Sequence, residues 1–254
     1  KNRSMYNTEN TDRKLIFPSN STPPKVSVIV PVYNVEKYVE RAIVSLMEQS
    51  LDDVQYIIID DGSKDSSLAI IRQVIARYPM RQDQVTLISR ENRGVSATRA
   101  QGMEMATGDY VIHLDSDDWA ELNWLETMYK KAIEDSADIV VCNYHSICSN
   151  KRVYMSMPPE KSGLLCLKQL LRNEQQGFTW NKLIRRDVIL KVEEPFIKEL
   201  GFLEDFLYIL RCFYFSRSIS FVERPLYNYN QLNVNSITKS IGSSRKRDIM
   251  AVIC

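Results

Sequence analysis

Three aspartates crowd the segment Asp115-Ser116-Asp117-Asp118, directly after the apolar run Tyr110-Val111-Ile112-His113-Leu114. In extended backbone the side chains at i and i+2 lean to one side. Asp115 and Asp117 can therefore hold one hard cation between them and bridge it to a diphosphate. A plainer use competes with this one. Acids that follow a strand cap the next helix, and Asp118 before Trp119-Ala120-Glu121-Leu122 suits that role. A second cluster, Asp60-Asp61-Gly62-Ser63, closes the apolar run 54–59. Its carboxylates can accept hydrogen bonds from the N–H of a base or the hydroxyls of a ribose, and Gly62 permits a tight turn that exposes Asp61. The plainer use here is a strand-to-helix turn capped by Ser63 or Asp65. A third acidic pair, Glu204-Asp205, opens an apolar helix. There it can complement the helix dipole.

These clusters need a scaffold that sends several strand ends the same way. Residues 25–31 read as a buried strand ended by a proline, and 35–49 as an amphipathic helix with Val39, Ile43, Leu46 and Met47 on one face. The alternation continues with a strand at 54–59, a helix at 66–78 stopped by Pro79, and a strand at 85–88. A small-residue helix carrying Ala97, Ala100, Gly102 and Ala106 follows, then the strand from Tyr110, a helix over 121–134 and a strand over 137–142. This order predicts an α/β domain with a mostly parallel, Rossmann-like sheet flanked by helices. In such sheets ligands sit beyond the carboxyl ends of the strands. After Asn143 the rhythm breaks. Residues 144–163 read as irregular or hairpin, 164–172 as a short helix, 178–190 as a strand or turn entering a helix, 202–215 as a helix and 219–222 as a strand. This second half, 144–240, is expected to pack on the same sheet as 25–143 and complete one domain over 25–240. Residues 1–24, polar and ending in Pro23-Pro24, read as a flexible leader, and 241–254 as the start of a helix that continues in a longer protein.

Composition narrows the chemistry. The 254 residues are 44% hydrophobic and 26% charged, ordinary for a globular protein. A formal charge of +1, with no basic stripe carrying aromatics, argues against nucleic acid as a partner. Five cysteines without paired short spacing fit a reducing compartment, neither a disulfide scaffold nor a structural zinc site. Two histidines, His113 and His145, leave little material for a His-rich metal site or a Ser/His/Asp triad. His113 alternates within its strand and reads as a packed residue. No secretory signal and no run of eighteen apolar residues is visible, so a cytoplasmic location is expected.

Several motifs, in this order, resemble the family 2 inverting glycosyltransferases of the GT-A fold. They are Pro31-Val32-Tyr33-Asn34, Asp60-Asp61-Gly62-Ser63, Asn92-Arg93-Gly94-Val95-Ser96-Ala97-Thr98-Arg99, Gly108-Asp109-Tyr110, Asp115-Ser116-Asp117-Asp118-Trp119 and Glu204-Asp205. The resemblance runs from about Lys25 to Lys239, and Phe178–Arg186 and Pro225–Tyr229 are similar to members that build bacterial surface polysaccharides. It implies transfer of a sugar from a UDP-sugar to a saccharide or lipid-linked saccharide acceptor, with Mg²⁺ or Mn²⁺ as cofactor. Carried over residue by residue, it implies that Pro31, Tyr33 and Asp61 line the uracil pocket. Asp115 would meet the ribose, and Asp117, with Asp115, would ligate the metal as a DXD motif. Asn92 and Arg99 would touch the donor, Asp205 would act as the general base, and Glu204 would support it. The half 144–240 becomes the acceptor side. Trp180 either stacks on a sugar or fills the core, and Lys182 can meet a phosphate. Arg185 and Arg186, with Arg245-Lys246-Arg247, either touch an anionic membrane surface from inside the cell or form solvated faces.

Other classes fit less well. A dinucleotide-dependent oxidoreductase needs Gly-x-Gly-x-x-Gly after the first strand, where this chain has Pro31-Val32-Tyr33-Asn34 and only eight glycines in all. A P-loop enzyme lacks its Gly-Lys-Ser/Thr. A nucleotidyltransferase, or a sugar-nucleotide-binding protein without turnover, remains as the alternative.

Overall fold

The computed structural model describes residues 22–149, 151–197 and 203–233. The expected leader, all but its last three residues, the expected helix at 241–254 and the basic run Arg245-Lys246-Arg247 lie outside the described residues. The first half alternates as its periodicity demands: β1 (Val26–Val32), α1 (Val39–Met47), β2 (Val54–Asp60), α2 (Ser67–Arg77), β3 (Val85–Ser89), α3 (Val95–Met105) and β4 (Tyr110–His113). Each strand is followed by a helix that carries the chain back, so β3-β2-β1-β4 are all parallel. Both faces of this sheet are covered, which is why these strands are mostly apolar. Val28, Val30, Tyr56 and Ile58 point to the layer with Val39, Ile43, Leu46 and Ile71, while Ile29, Ile57 and Ile59 point to the layer with Ala100. Period-two alternation sends successive residues into two separate cores.

The second half comprises β5 (Trp119–Ala120), α4 (Trp124–Glu134), β6 (Ile139–Cys148), β7 (Lys151–Met155), α5 (Gly163–Leu171), β8 (Lys182–Arg185), α6 (Arg186–Ile189), α7 (Glu204–Phe215) and β9 (Ile219–Asn230). Here the directions mix. β8 inserts antiparallel between β4 and β6, β6 and β9 are parallel, β5 runs antiparallel to β9, and β7 forms a hairpin with β6. The mostly parallel arrangement therefore holds for the first four strands, and the strands of 144–233 extend the same sheet with mixed directions. Two strands are longer than their apolar runs. β6 passes Asn143, and β9 passes Glu223-Arg224-Pro225, through a register shift between Cys142 and Tyr144. A bulge of this kind breaks the two-residue alternation that marks a strand in sequence. Pro31 does not end β1, which runs on to Val32 beside Asp60. The pairing of β1 with β4 stops at Ile29 opposite His113, so the proline's missing N–H costs no ladder bond.

Candidate active site

The carboxyl ends of β1, β2 and β4 lie side by side. The Asp61 N–H donates to the Val32 carbonyl (2.8 Å) and the Leu114 N–H to the Ile29 carbonyl (3.0 Å), so both acidic clusters leave the same sheet edge. The turns after β1 and β2 are tied to one another. Ser63 accepts from the Asn34 N–H (3.0 Å), the Asn34 side chain accepts from the Lys64 N–H (2.8 Å), and Asp65 accepts from the Glu36 N–H (3.0 Å). Asp65 also accepts from the Ser67 N–H (3.0 Å), but the N-cap position of α2 is Ser66, with no side-chain cap, so neither Ser63 nor Asp65 caps this helix. Above this base Pro31 is half-buried, and Tyr33 stands out of the rim with 49% of its surface exposed, open to stacking.

Asp61 is buried and already occupied. It accepts from the Arg90 guanidinium, from the Arg93 N–H (2.9 Å) and from the Gly94 N–H (2.9 Å). Arg90 is fixed in turn by Gln101 (2.7 Å) and Thr98 (2.9 Å) on α3. Asp61 thus organises the 90–94 loop, on which Asn92 is exposed, and has little capacity left for a base. Gly62 sits at φ +75°, and an added Cβ would lie 2.9 Å from the Asn92 nitrogen, so this turn and the loop touch where only glycine fits.

At the end of β4 the three aspartates part company. Asp118 turns inward and accepts from the Tyr227 hydroxyl (2.9 Å) and the Asn230 N–H (2.7 Å), anchoring the segment to β9. It caps no helix: α4 begins after Asn123. Tyr227 also accepts from the Asp115 N–H (3.1 Å). Burial, with Asp117 and Asp115 nearby, holds the Asp118 carboxyl well above the usual range. Asp117 accepts from the Asn233 amide (2.8 Å), and burial followed by the charge of Asp115 raises its pKa. Asp115 meets Arg99 (2.8 Å) and keeps 26% of its side chain exposed.

Arg99 joins this cluster to the third. From α3 its guanidinium donates to Asp115, to Glu204 (2.6 Å) and to Asp205. Burial works against its charge, and Asp205, Asp115 and Glu204 together raise its pKa far above the ordinary value. The acidic pair lies in the first turn of α7 after Leu203, whose φ is +62°. Burial pushes Asp205 up to about 8; Arg99 opposes this, and Glu204 and Asp115 add to it. The Asp205 side chain is still 26% exposed, so the carboxylate is reachable from outside.

Comparison with known proteins gives this geometry a context. Residues 27–192 match the family model "Glycosyl transferase family 2". This chain belongs to that family. EpsH of Bacillus subtilis (strain 168), which carries a glycosyltransferase name, is 34% identical over 227 residues, 85% of this chain and 63% of EpsH. The chain therefore spans less than two thirds of that relative's length. Among solved structures, S. aureus TarS 1–349 in complex with UDP-GlcNAc superposes with a TM-score of 0.74 at 21% identity, covering 90% of this chain and 64% of that one. The mannosyltransferase PcManGT from Pyrobaculum calidifontis, in complex with GDP-Man and Mn²⁺, gives 0.62 at 17% identity, covering 86% and 62%. At these identities the two structures speak for the GT-A fold alone.

For other residues of this family 2 domain the contacts decide between the sequence readings or correct them. Trp180 fills the core, stacked between Tyr227 (4.4 Å) and Phe178 (4.6 Å). Lys182 is buried and donates to the Gln176 carbonyl (2.8 Å), the Phe178 carbonyl (2.9 Å) and Asn181 (2.8 Å), so no donor is left for a phosphate. Burial lowers its pKa to about 7, yet three acceptors match the three donors of the charged form. Arg185 is tied to Tyr110 (3.2 Å), Ala137 (3.0 Å) and Asp138 (3.4 Å), and Arg186 to Ala106 (3.3 Å). Arg185 is therefore held within the fold, whereas Arg186 gives only its Nε–H to a neutral carbonyl in the contacts described. His113 is packed edge-on against Phe196 (5.5 Å) and Tyr208 (5.9 Å), and burial, with Arg99 nearby, keeps it neutral. Sequence reading gave no role to Arg90, Tyr227 or Asn233. Arg90 carries a usable signal, a basic residue one step past β3 whose neighbour β2 ends in acids; the contacts of Tyr227 and Asn233 come from over 100 residues away and leave no local trace.

Proposed function

We propose that this chain transfers a sugar from a UDP-sugar to the hydroxyl of a saccharide or lipid-linked saccharide, with inversion at C1. One observation carries the reading: carboxylates from three separated segments meet at one sheet edge, where a single guanidinium touches both Asp115 and Asp205. In this reading Tyr33, beside Pro31, stacks on the uracil. Asp61 shapes the uracil pocket through the 90–94 loop, where Asn92 faces the donor, and Asp115 meets the ribose. The face built from 144–233 forms the acceptor wall. Asp205 takes the proton from the acceptor hydroxyl as its oxygen bonds to C1 and the diphosphate departs from the opposite face. Glu204 keeps Arg99 engaged beside it.

Among the described residues no group of three or more His, Cys, Asp or Glu is arranged to hold a metal alone. The donor set still fits Mg²⁺ or Mn²⁺ delivered with a diphosphate. Such ions take one or two carboxylates and draw further oxygens from phosphate and water. The raised pKa of Asp117, caused by burial and by Asp115, marks a concentration of negative charge that a divalent cation would relieve. Asp117 and Asp115 would hold it, and when bound it neutralises charge growing on the departing diphosphate. Membrane association at the inner surface stays a secondary proposal; among the described residues no helix is long and apolar enough to cross a membrane.

The test is UDP release from a panel of UDP-sugars with Mn²⁺, beginning with UDP-GlcNAc, by wild type and Asp117→Ala. Wild type should release UDP from at least one donor and the variant should not. Absence of release from every donor, or equal release by both proteins, would overturn the reading.

A further inference from the structure

We infer that Arg99 is a positioning residue that locks the base-bearing helix α7 to the floor of the donor site, and that it does not itself bind the donor. The inference rests on the glycosyl-transfer reading above and replaces the donor contact that the family resemblance implied for Arg99.

Its geometry is that of a clamp. Arg99 is buried in the middle of α3. One terminal nitrogen serves both Glu204 and Asp205, which lie 105 and 106 residues later, and the other serves Asp115, 16 residues later. Among the described residues no other hydrogen bond joins the segment 114–118 to α7. The first turn of α7 has no side-chain cap of its own, since it starts from left-handed Leu203. Arg99 thus supplies what fixes Glu204 and Asp205. Among the described residues the Nε–H is buried without a hydrogen-bond partner and three carboxylates orient the guanidinium plane, which lies 5.9 Å from the Phe196 ring centre. Phe196 is itself stacked on Tyr208 of α7 (4.6 Å).

The side-chain type follows from this. Arginine offers a rigid fan of donors that reaches three acceptors at once; lysine offers a compact charge that cannot span them. A diphosphate approaching Arg99 would have to displace carboxylates from nitrogens they already occupy. With the clamp intact, Asp205 is held at a fixed distance from the carboxylate expected to meet the ribose, so base and donor share one frame. Losing it costs geometry rather than affinity, and misplacement of about 1 Å is enough for roughly 10²-fold in rate.

The experiment compares the full-length wild type with Arg99→Gln and Arg99→Lys. Ligand-free hydrogen–deuterium exchange should quicken in both variants at 114–118 and at 203–208, more in Arg99→Gln. In calorimetry with Mn²⁺, UDP affinity should be unchanged. With the best donor of the UDP-sugar panel, kcat should fall by about 10²-fold in Arg99→Gln with KM unchanged, and Arg99→Lys should recover part of it. Unchanged exchange at 203–208, or a raised KM and weakened UDP binding with kcat retained, would overturn the inference. Should Arg99→Gln not fold, Arg99→Lys and the charge-relieved pair Arg99→Gln with Asp205→Asn carry the same comparison of exchange and UDP affinity. A wild type that turns over no donor defeats the transfer reading alone, and the exchange experiment still decides the clamp.

Discussion

The chain contains two acidic strand ends that look alike in sequence and behave oppositely in space. Asp61 is enclosed: Arg90 and two loop amides satisfy it, and its charge is spent holding 90–94 against Gly62. Asp115, Asp117 and Asp118 are gathered at the neighbouring strand end with a share of one arginine, which Glu204 and Asp205 also claim. The first cluster is internally neutralised and structural in its immediate contacts. The second crowds three carboxyls around a share of one cation, and burial raises the pKa of Asp117 and Asp118. Acid count therefore says little; the local supply of cations and amides decides whether a cluster closes on itself or remains a ligand.

The contrast can be broken or sharpened by experiment. The largest effect is expected at the proposed proton acceptor: Asp205→Asn should lower transfer by about 10²–10⁴-fold while UDP affinity with Mn²⁺ is retained, measured by steady-state kinetics and calorimetry. Lost UDP affinity in that variant would contradict its role. Next comes the open cluster, where Asp117→Ala should weaken Mn²⁺-dependent UDP binding by at least about tenfold and leave metal-free binding unchanged. At the closed cluster, Asp61→Ala should act mainly on stability, costing about 1–3 kcal/mol in urea unfolding by leaving the half-buried Arg90 without its anionic partner. If Asp61→Ala instead abolishes UDP binding in a fully stable protein, the contrast between the clusters fails.

The smallest effect is in pH. As the proposed base, Asp205 would act only when deprotonated, so the transfer rate should climb as pH rises through about 8. A carboxyl whose folded pKa lies above its unfolded value contributes stability below the unfolded value, and this contribution is lost as pH rises through about 8. Thermal unfolding midpoints should fall over that window in wild type and fall less in Asp205→Asn.

The alternating half of the chain was largely legible before any coordinates. Strands 54–59 and 85–88 and the helices after them are placed within a few residues of β2, β3, α2 and α3, because apolar runs and helical periodicity are local signals. The second half was harder to read. β6 and β9 continue through polar residues and a register shift, and β8 enters antiparallel, since pairing with distant strands overrode the local pattern. At the site, motif order brought out Asp61, Asp115, Asp117, Glu204 and Asp205. It did not tell that Lys182 and Arg185 are consumed by carbonyls and hydroxyls of the fold, because the partners of a buried cation are chosen by packing.

The sequence by itself determined the family, the layered α/β architecture and the acids available for chemistry, since residue type and spacing carry that information along the chain. Only the tertiary structure decided how their charge is shared. Electrostatic energy depends on distance and desolvation between residues brought together by folding, and Arg99, Glu204, Asp205 and Asp115 become one hydrogen-bonded unit only when α3, α7 and the end of β4 meet.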